Sequence, residues 1–192
     1  MDSDDAQVTR WALAAGRGDP QALAAFVRGT QEQTWRFLHH LLADAETDDL
    51  VQETYLRAMR AMPRFAGRSS ARTWLFSIAR RVAADHLRAR RARPTATVPP
   101  GWDPPAAGRF ENGVALDLLL RDLPAERREA FVATQVLGLS YAEAAEVCDC
   151  PVGTIRSRVA RARDELVAAL ADRPDGPAEV PGRPAAGIGP GR

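Results

Sequence analysis

No lysine occurs anywhere in this 192-residue chain; all 26 of its basic side chains are arginine. Alongside the abundant alanine, that reads as the codon bias of a GC-rich genome, so arginine in place of lysine carries no chemical message. Cysteine is scarce too: Cys148 and Cys150 are the only two, one residue apart, with no histidine near them in sequence. They cannot complete a tetrahedral zinc shell and read as small fillers, with Cys150 as a helix cap. No apolar run approaches the ~20 residues of a membrane span, and the acidic start from Met1 to Asp5 is unlike the basic opening of a signal peptide. These absences predict a cytosolic protein with no membrane partner. There is no Walker-type glycine loop, and His39, His40 and His86 have no recognisable acid, nucleophile or metal partner in sequence. Neither an enzyme nor a cofactor or metal centre is expected.

What the chain does have is segregated charge. The net charge of +1 conceals an acidic block, Asp44, Glu46, Asp48, Asp49 and Glu53, followed by a basic stretch. From Arg57 to Arg93 many arginines stand against a single acid, Asp85. An acidic patch beside a basic one predicts two unlike partners, one cationic and one polyanionic.

Nothing reads as a strand; the fold class is all-α. Val8, Trp11, Ala12 and Ala15 mark a short first helix. Asp19-Pro20 starts a long one reaching about Ala43, with Phe26, Trp35, Leu38, Leu41 and Leu42 facing inward. A third helix follows Thr47-Asp48, with Val51, Tyr55, Met59 and Met62 recurring every three or four residues until Pro63. Beyond the small, polar loop 66–71, a fourth carries Trp74, Leu75, Ile78 and Val82 inward and ends among arginines. The expected organisation is a helical domain over 1–93, a flexible proline-rich linker over 94–112, a second helical domain over 113–171 and a disordered tail over 172–192. The linker's prolines at 94, 99, 100, 104 and 105 favour extended chain, long enough to span roughly 60 Å at ~3.1 Å per residue.

The second domain carries the sharpest motif. Ser140 with Glu143 forms a capping box for one short helix, and Pro151 suits the first position of the next. At ~100° per residue, Val152, Ile155, Val159, Ala162 and Leu166 share one face of that second helix. Gly153, Arg156, Ser157, Ala160 and Arg161 lie almost opposite, and no acid interrupts the run from Thr154 to Arg163. A helix fixed on one side and offering arginine, serine and bare glycine on the other fits a DNA major groove. This predicts a helix-turn-helix. Arg156 and Ser157 sit where base edges are read, and Arg161 lies one turn on. Gly153 and Thr154 let the helix N-terminus approach the backbone, and Arg158 flanks the groove as a phosphate contact.

Several segments in order resemble the extracytoplasmic function (ECF) class of bacterial RNA polymerase sigma factors, with the actinobacterial sigma C type the nearest likeness. The segment Asp48 to Phe65 resembles the polymerase-binding helix of that class. Ser70 to Arg80, with Asp85 and Arg88, resembles the segment that opens and reads the −10 promoter element. Leu123 to Phe131 and Cys150 to Arg158 resemble the −35-reading domain. Two departures stand out. Arg81 occupies a position where Asn is common, and Ala144 one where a larger aliphatic is common, which predicts thin packing there.

The resemblance implies that Asp49, Gln52, Glu53 and Leu56 contact core RNA polymerase (the β and β′ subunits), with Met59 alongside. It implies that the 66–71 loop, including Arg68 and Ser69 and flanked by Arg72, traps flipped bases of promoter DNA, while Arg80, Arg81 and Arg88 track phosphates. With no ATP motif, strand opening would draw on binding energy alone. The resemblance also implies an anti-sigma factor as a regulating partner. The alternative reading is a free-standing helix-turn-helix regulator that binds operators alone. Such proteins are usually dimers, and nothing here reads as a dimerisation helix, so a monomer is expected when the chain is free.

Overall fold

Asp19 opens the longest helix as its sequence predicts: its Oδ1 accepts from the backbone N–H groups of Gln21 (2.9 Å) and Ala22 (3.0 Å). The computed structural model describes residues 3–42, 46–92 and 113–171, and all regular structure within them is helical. The expected linker and tail lie outside the described residues. The first half comprises α1 (Ser3–Gly16), α2 (Pro20–Leu42), α3 (Thr47–Ala61), a 3-10 turn (Met62–Arg64) and α4 (Ala71–Ala92). The second comprises α5 (Gly113–Asp122), α6 (Ala125–Phe131) running on into a π turn (Val132–Val136), α7 (Tyr141–Cys148) and α8 (Val152–Ala171).

Phe26, Phe37, Leu38, Leu75, Phe76 and Val82 centre the first core, with the Phe37 and Phe76 rings tilted at 5.4 Å. Phe37, which periodicity did not single out, is fully buried, and Trp35 packs against the same core in part. The indole of Trp35 is drawn to the rim, where Nε1 donates to Asp48 Oδ1 at 2.9 Å. Three hydroxyls thread this core: Tyr55 Oη lies 2.8 Å from Thr30 Oγ1 and 3.3 Å from Thr34 Oγ1. Each threonine also donates to the carbonyl four residues earlier, so no hydroxyl is stranded.

Gly16 ends α1 where the helix meets the turn after α3; a Cβ there would lie 2.7 Å from the Met62 carbonyl oxygen. Backbone cannot swing aside as a side-chain tip can. Gly16→Ala is therefore expected to destabilise the chain by about 1–3 kcal/mol, read as a lower urea midpoint with an unchanged slope.

In the second half the Ser140–Glu143 capping box forms as predicted, and Asp149 closes α7 in the left-handed region (φ 51°). The start of α8 differs from expectation by one residue. The Pro151 carbonyl accepts from Thr154 N (2.9 Å) and Ile155 N (3.3 Å), so Pro151 itself is the cap and Cys150 precedes it. Pro124 plays the same part for α6. In both places a fixed φ, rather than a side-chain acceptor, sets the helix entry.

The two halves are packed together. α4 lies against α7, and α2 lies against α5, α6 and the π turn. Ala144 is fully buried.

Candidate functional site

Four of the five residues expected on the inner face of α8, Ile155, Val159, Ala162 and Leu166, are buried; Val152 is exposed, at the rim of a shallow groove with Ala142, Ala145 and Pro151. The opposite face is open. Gly153, Arg156, Ser157, Ala160 and Arg161 are exposed, and Thr154 is half-buried, its carbonyl accepting from Ser157 Oγ at 2.9 Å. A Cβ on Gly153 would meet nothing within 4 Å. Packing among the described residues makes no demand for glycine there. Arg158 is not aligned with that face: it folds back 3.7 Å from Cys150 Sγ and 3.8 Å from Glu126. Arg163 likewise donates to Gln135 Oε1 at 2.7 Å.

On α3, Asp49 and Gln52 are exposed and have no side-chain partner among the described residues. Beside them Leu56 and Met59 are 39% and 38% exposed, large apolar side chains left in water. Met59, expected in the core by spacing, belongs instead to this surface. Glu53 is engaged within the chain: it accepts from Arg57 Nε at 2.7 Å, and Arg57 Nη1 reaches Asp85 of α4 at 2.6 Å. That hydrogen bond from Arg57 holds the Asp85 carboxyl below its ordinary range. Arg88 shares the same carboxylate at 2.5 Å.

The arginines expected to grip −10 DNA divide into two groups. Arg68, Arg81 and Arg88 are exposed, and Ser69 is half-buried in the loop. Arg72 is only 13% exposed and lies between Asp4 (2.6 Å) and Asp5 (3.2 Å), where it fastens α1 to α4. Arg80 pairs with Glu129 of α6, across the junction of the two halves. Neither faces solvent freely in this arrangement: exposed Asp4 and half-buried Asp5 hold Arg72, and buried Glu129 holds Arg80. Ser70, next to the loop, caps α4 by accepting from Thr73 N at 3.1 Å. Trp74 leans on Phe65 with ring centroids 4.8 Å apart, as a packing residue.

Burial pushes the Glu129 carboxyl above its ordinary range, against the pull of Arg80. Removing Arg80 leaves that acid inside without its cation. A fully buried pair broken in this way costs 3–5 kcal/mol, but Arg80 is 33% exposed, so about 1–2 kcal/mol is expected. Arg80→Ala should thus shift the balance between joined and separated halves about tenfold, seen as a larger radius of gyration in small-angle scattering.

Sequence reading missed the partners of the histidines. His39 and His40 both meet Asp117, and His86 lies 3.5 Å from Glu46. Asp117 is 77 residues downstream of His40, beyond the reach of any local pattern. The Cys148 thiol, sealed in the second core, is pushed up to about 12 by burial. It stays protonated and inert at neutral pH.

The Sigma-70 region 2 family matches residues 26–93, and the family Sigma-70, region 4 matches residues 113–166. The ECF RNA polymerase sigma factor SigC of Mycobacterium tuberculosis is 54% identical over 172 residues, covering 86% of this chain and 92% of its own. The chain belongs to the ECF sigma factors of the sigma-70 family. The all-helical fold of this sigma factor is also that of two solved structures. The sigma factor RpoE, in complex with the anti-sigma factor NepR from Bartonella quintana, is 29% identical with a TM-score of 0.63, covering 77% of this chain and 96% of RpoE. CnrH, in complex with the cytosolic domain of CnrY, is 25% identical with a TM-score of 0.67, covering 90% of this chain and all of CnrH. As a sigma factor the chain serves transcription initiation and is not an enzyme. No helix among its described residues is long and apolar enough to cross a membrane.

Proposed function

We propose that this sigma factor docks on core RNA polymerase through the outer face of α3 and reads promoter DNA with two separate grips. Asp49 and Gln52 supply the acidic and polar rim, and Leu56 and Met59 the apolar centre; Glu53 joins them by exchanging Arg57 for a polymerase cation. The −10 grip is built from Arg68, Ser69, Arg81 and Arg88, joined by Arg80 once it leaves Glu129, with Arg72 bracing the loop from α1. The −35 grip is the open face of α8: Arg156, Ser157 and Arg161 toward bases, Gly153, Thr154 and Arg158 toward the backbone. The domains are residues 1–93 and 113–171, with 94–112 as the tether and 172–192 as a tail, and the chain works in the cytoplasm. An anti-sigma factor covering the α3 face would silence it; the similar sigma factor RpoE is found in complex with the anti-sigma factor NepR.

The observation that carries this reading is the pairing of opposite surfaces on one chain. An acid-rimmed apolar patch on α3 stands with an uninterrupted arginine–serine face on α8. Two promoter elements about one and a half duplex turns apart lie ~50 Å from each other, whereas here α4 and α7 are in contact. Freeing Arg80 from Glu129 for the −10 grip parts the halves at this contact, and the polymerase supplies the scaffold that holds them apart.

Run-off transcription tests this. Core polymerase with the purified chain should start at cognate promoters, and neither component should do so alone. Tight, specific operator binding by the chain without polymerase would favour the free-standing regulator instead.

A further inference from the structure

Near the C-terminus of α2, two neighbouring imidazoles converge on one carboxylate of α5. His39 Nε2 stands 2.9 Å from Asp117 Oδ2, and His40 Nδ1 stands 2.7 Å from Asp117 Oδ1. One ligand-type atom from each residue lies within 4.8 Å of the other two. All three side chains are largely withdrawn from water, with exposures of 19%, 10% and 15% for His39, His40 and Asp117. The His39 ring is stacked on Trp35, centroids 4.5 Å apart and planes 12° from parallel. Trp35 is itself held by Asp48 at 2.9 Å, so the imidazole is oriented from behind before any ligand arrives.

We propose that His39, His40 and Asp117 form a binding site for a divalent transition metal of the zinc class, and that the bound ion clamps the two helical halves together. Two imidazoles and a carboxylate form a donor set that suits zinc, with water in the fourth position. Calcium and magnesium favour shells of oxygen alone. Bonds of ~2.0–2.2 Å at tetrahedral angles set ligand atoms about 3.3 Å apart, so the nitrogen–oxygen contacts of 2.9 and 2.7 Å widen by about half an ångström while the longer separations, none above 4.8 Å, draw in around the ion. The ion takes the place of the protons that now join the rings to the carboxylate. Each neutral imidazole then carries its N–H on the other ring nitrogen, and no oxidant or further reactant is needed.

The histidines belong to one half of the chain and the aspartate to the other, so a metal that needs all three binds only the joined form. Free metal at about 100 times its dissociation constant would raise the ratio of joined to separated chains about 100-fold. The site rests on this geometry alone and needs nothing from the promoter-reading assignments.

The test uses the full chain, stripped of metal and titrated with Zn2+ and, for its visible spectrum, with Co2+. One equivalent should bind, cobalt should show the intense bands of a tetrahedral site, and zinc should reduce the radius of gyration. Asp117→Asn and His40→Gln should each weaken binding at least tenfold, with helicity checked by circular dichroism. His39→Gln serves where one of them fails to fold. The Cys148→Ser, Cys150→Ser double variant should bind as the unaltered chain does. Absence of stoichiometric binding at micromolar metal, binding lost only with the cysteines, or undiminished binding by folded Asp117→Asn would overturn the site. Binding by the three residues with no compaction would overturn the clamp.

Discussion

Asp49→Arg combined with Leu56→Arg is expected to abolish retention of this sigma factor on immobilised core RNA polymerase while leaving its thermal unfolding unchanged. Both side chains are exposed, and neither supports the core, so the fold should shift by no more than ~0.5 kcal/mol. On the docked complex the effect is of another order. Leu56 would sit near the dry centre of the contact and Asp49 on its rim, and each substitution places a new cation against a surface chosen for being basic. Losses of about 2–5 kcal/mol are usual where a charge is left unpaired in an interface, so the combined affinity should fall at least ~100-fold, at 1.4 kcal/mol per decade. Leu56 is preferred to Glu53 as the second position because Glu53 also holds Arg57 and, through it, Asp85. A loss at Glu53 would mix docking with repacking of α3 on α4. Unaltered retention of the double variant would remove α3 from the polymerase contact.

Arg156→Ala is expected to weaken binding to a cognate −35 element by about 1–3 kcal/mol and to flatten the preference at a single base pair. Arg156 is exposed on the open face of α8, held by no ion pair among the described residues. The substitution removes no packing, so any loss reports on DNA. The informative measurement is a comparison across promoters changed one position at a time. A bidentate contact to guanine gives a loss confined to promoters that carry it. A loss of equal size on every promoter, with a salt dependence shallower by about one ion, would make Arg156 a phosphate contact.

Periodicity and capping chemistry made most of the architecture legible. Asp19-Pro20, the Ser140–Glu143 box and the apolar stripe of α8 act within a few residues of themselves, and each holds in the structure. The errors arose where distant chain competes for a residue. Trp35 packs against the core only in part because Asp48 offers the indole a partner at the rim. Met59 obeys helical spacing yet stays in water because no element among the described residues covers that side of α3. Arg72 and Arg80 are visible as part of a basic run, but the acids they pair with here stand 68 and 49 positions away, outside any local pattern. The same long reach hid the carboxylate between His39 and His40. Local rules reveal which helices form; the side on which an arginine finds its acid depends on how those helices meet.

The hydroxyl thread of Thr30, Thr34 and Tyr55 has a consequence for how α3 is presented. Greasy contacts alone would let one helix slip or roll against another at small expense, since methyl groups are nearly interchangeable. A phenol locked between two threonines acts as a keyway: any slip of α3 along α2 would strand buried hydroxyls, at about 1–3 kcal/mol each. The angle at which Asp49 and Leu56 meet an incoming protein is therefore indexed from inside the molecule, by groups that never touch the visitor.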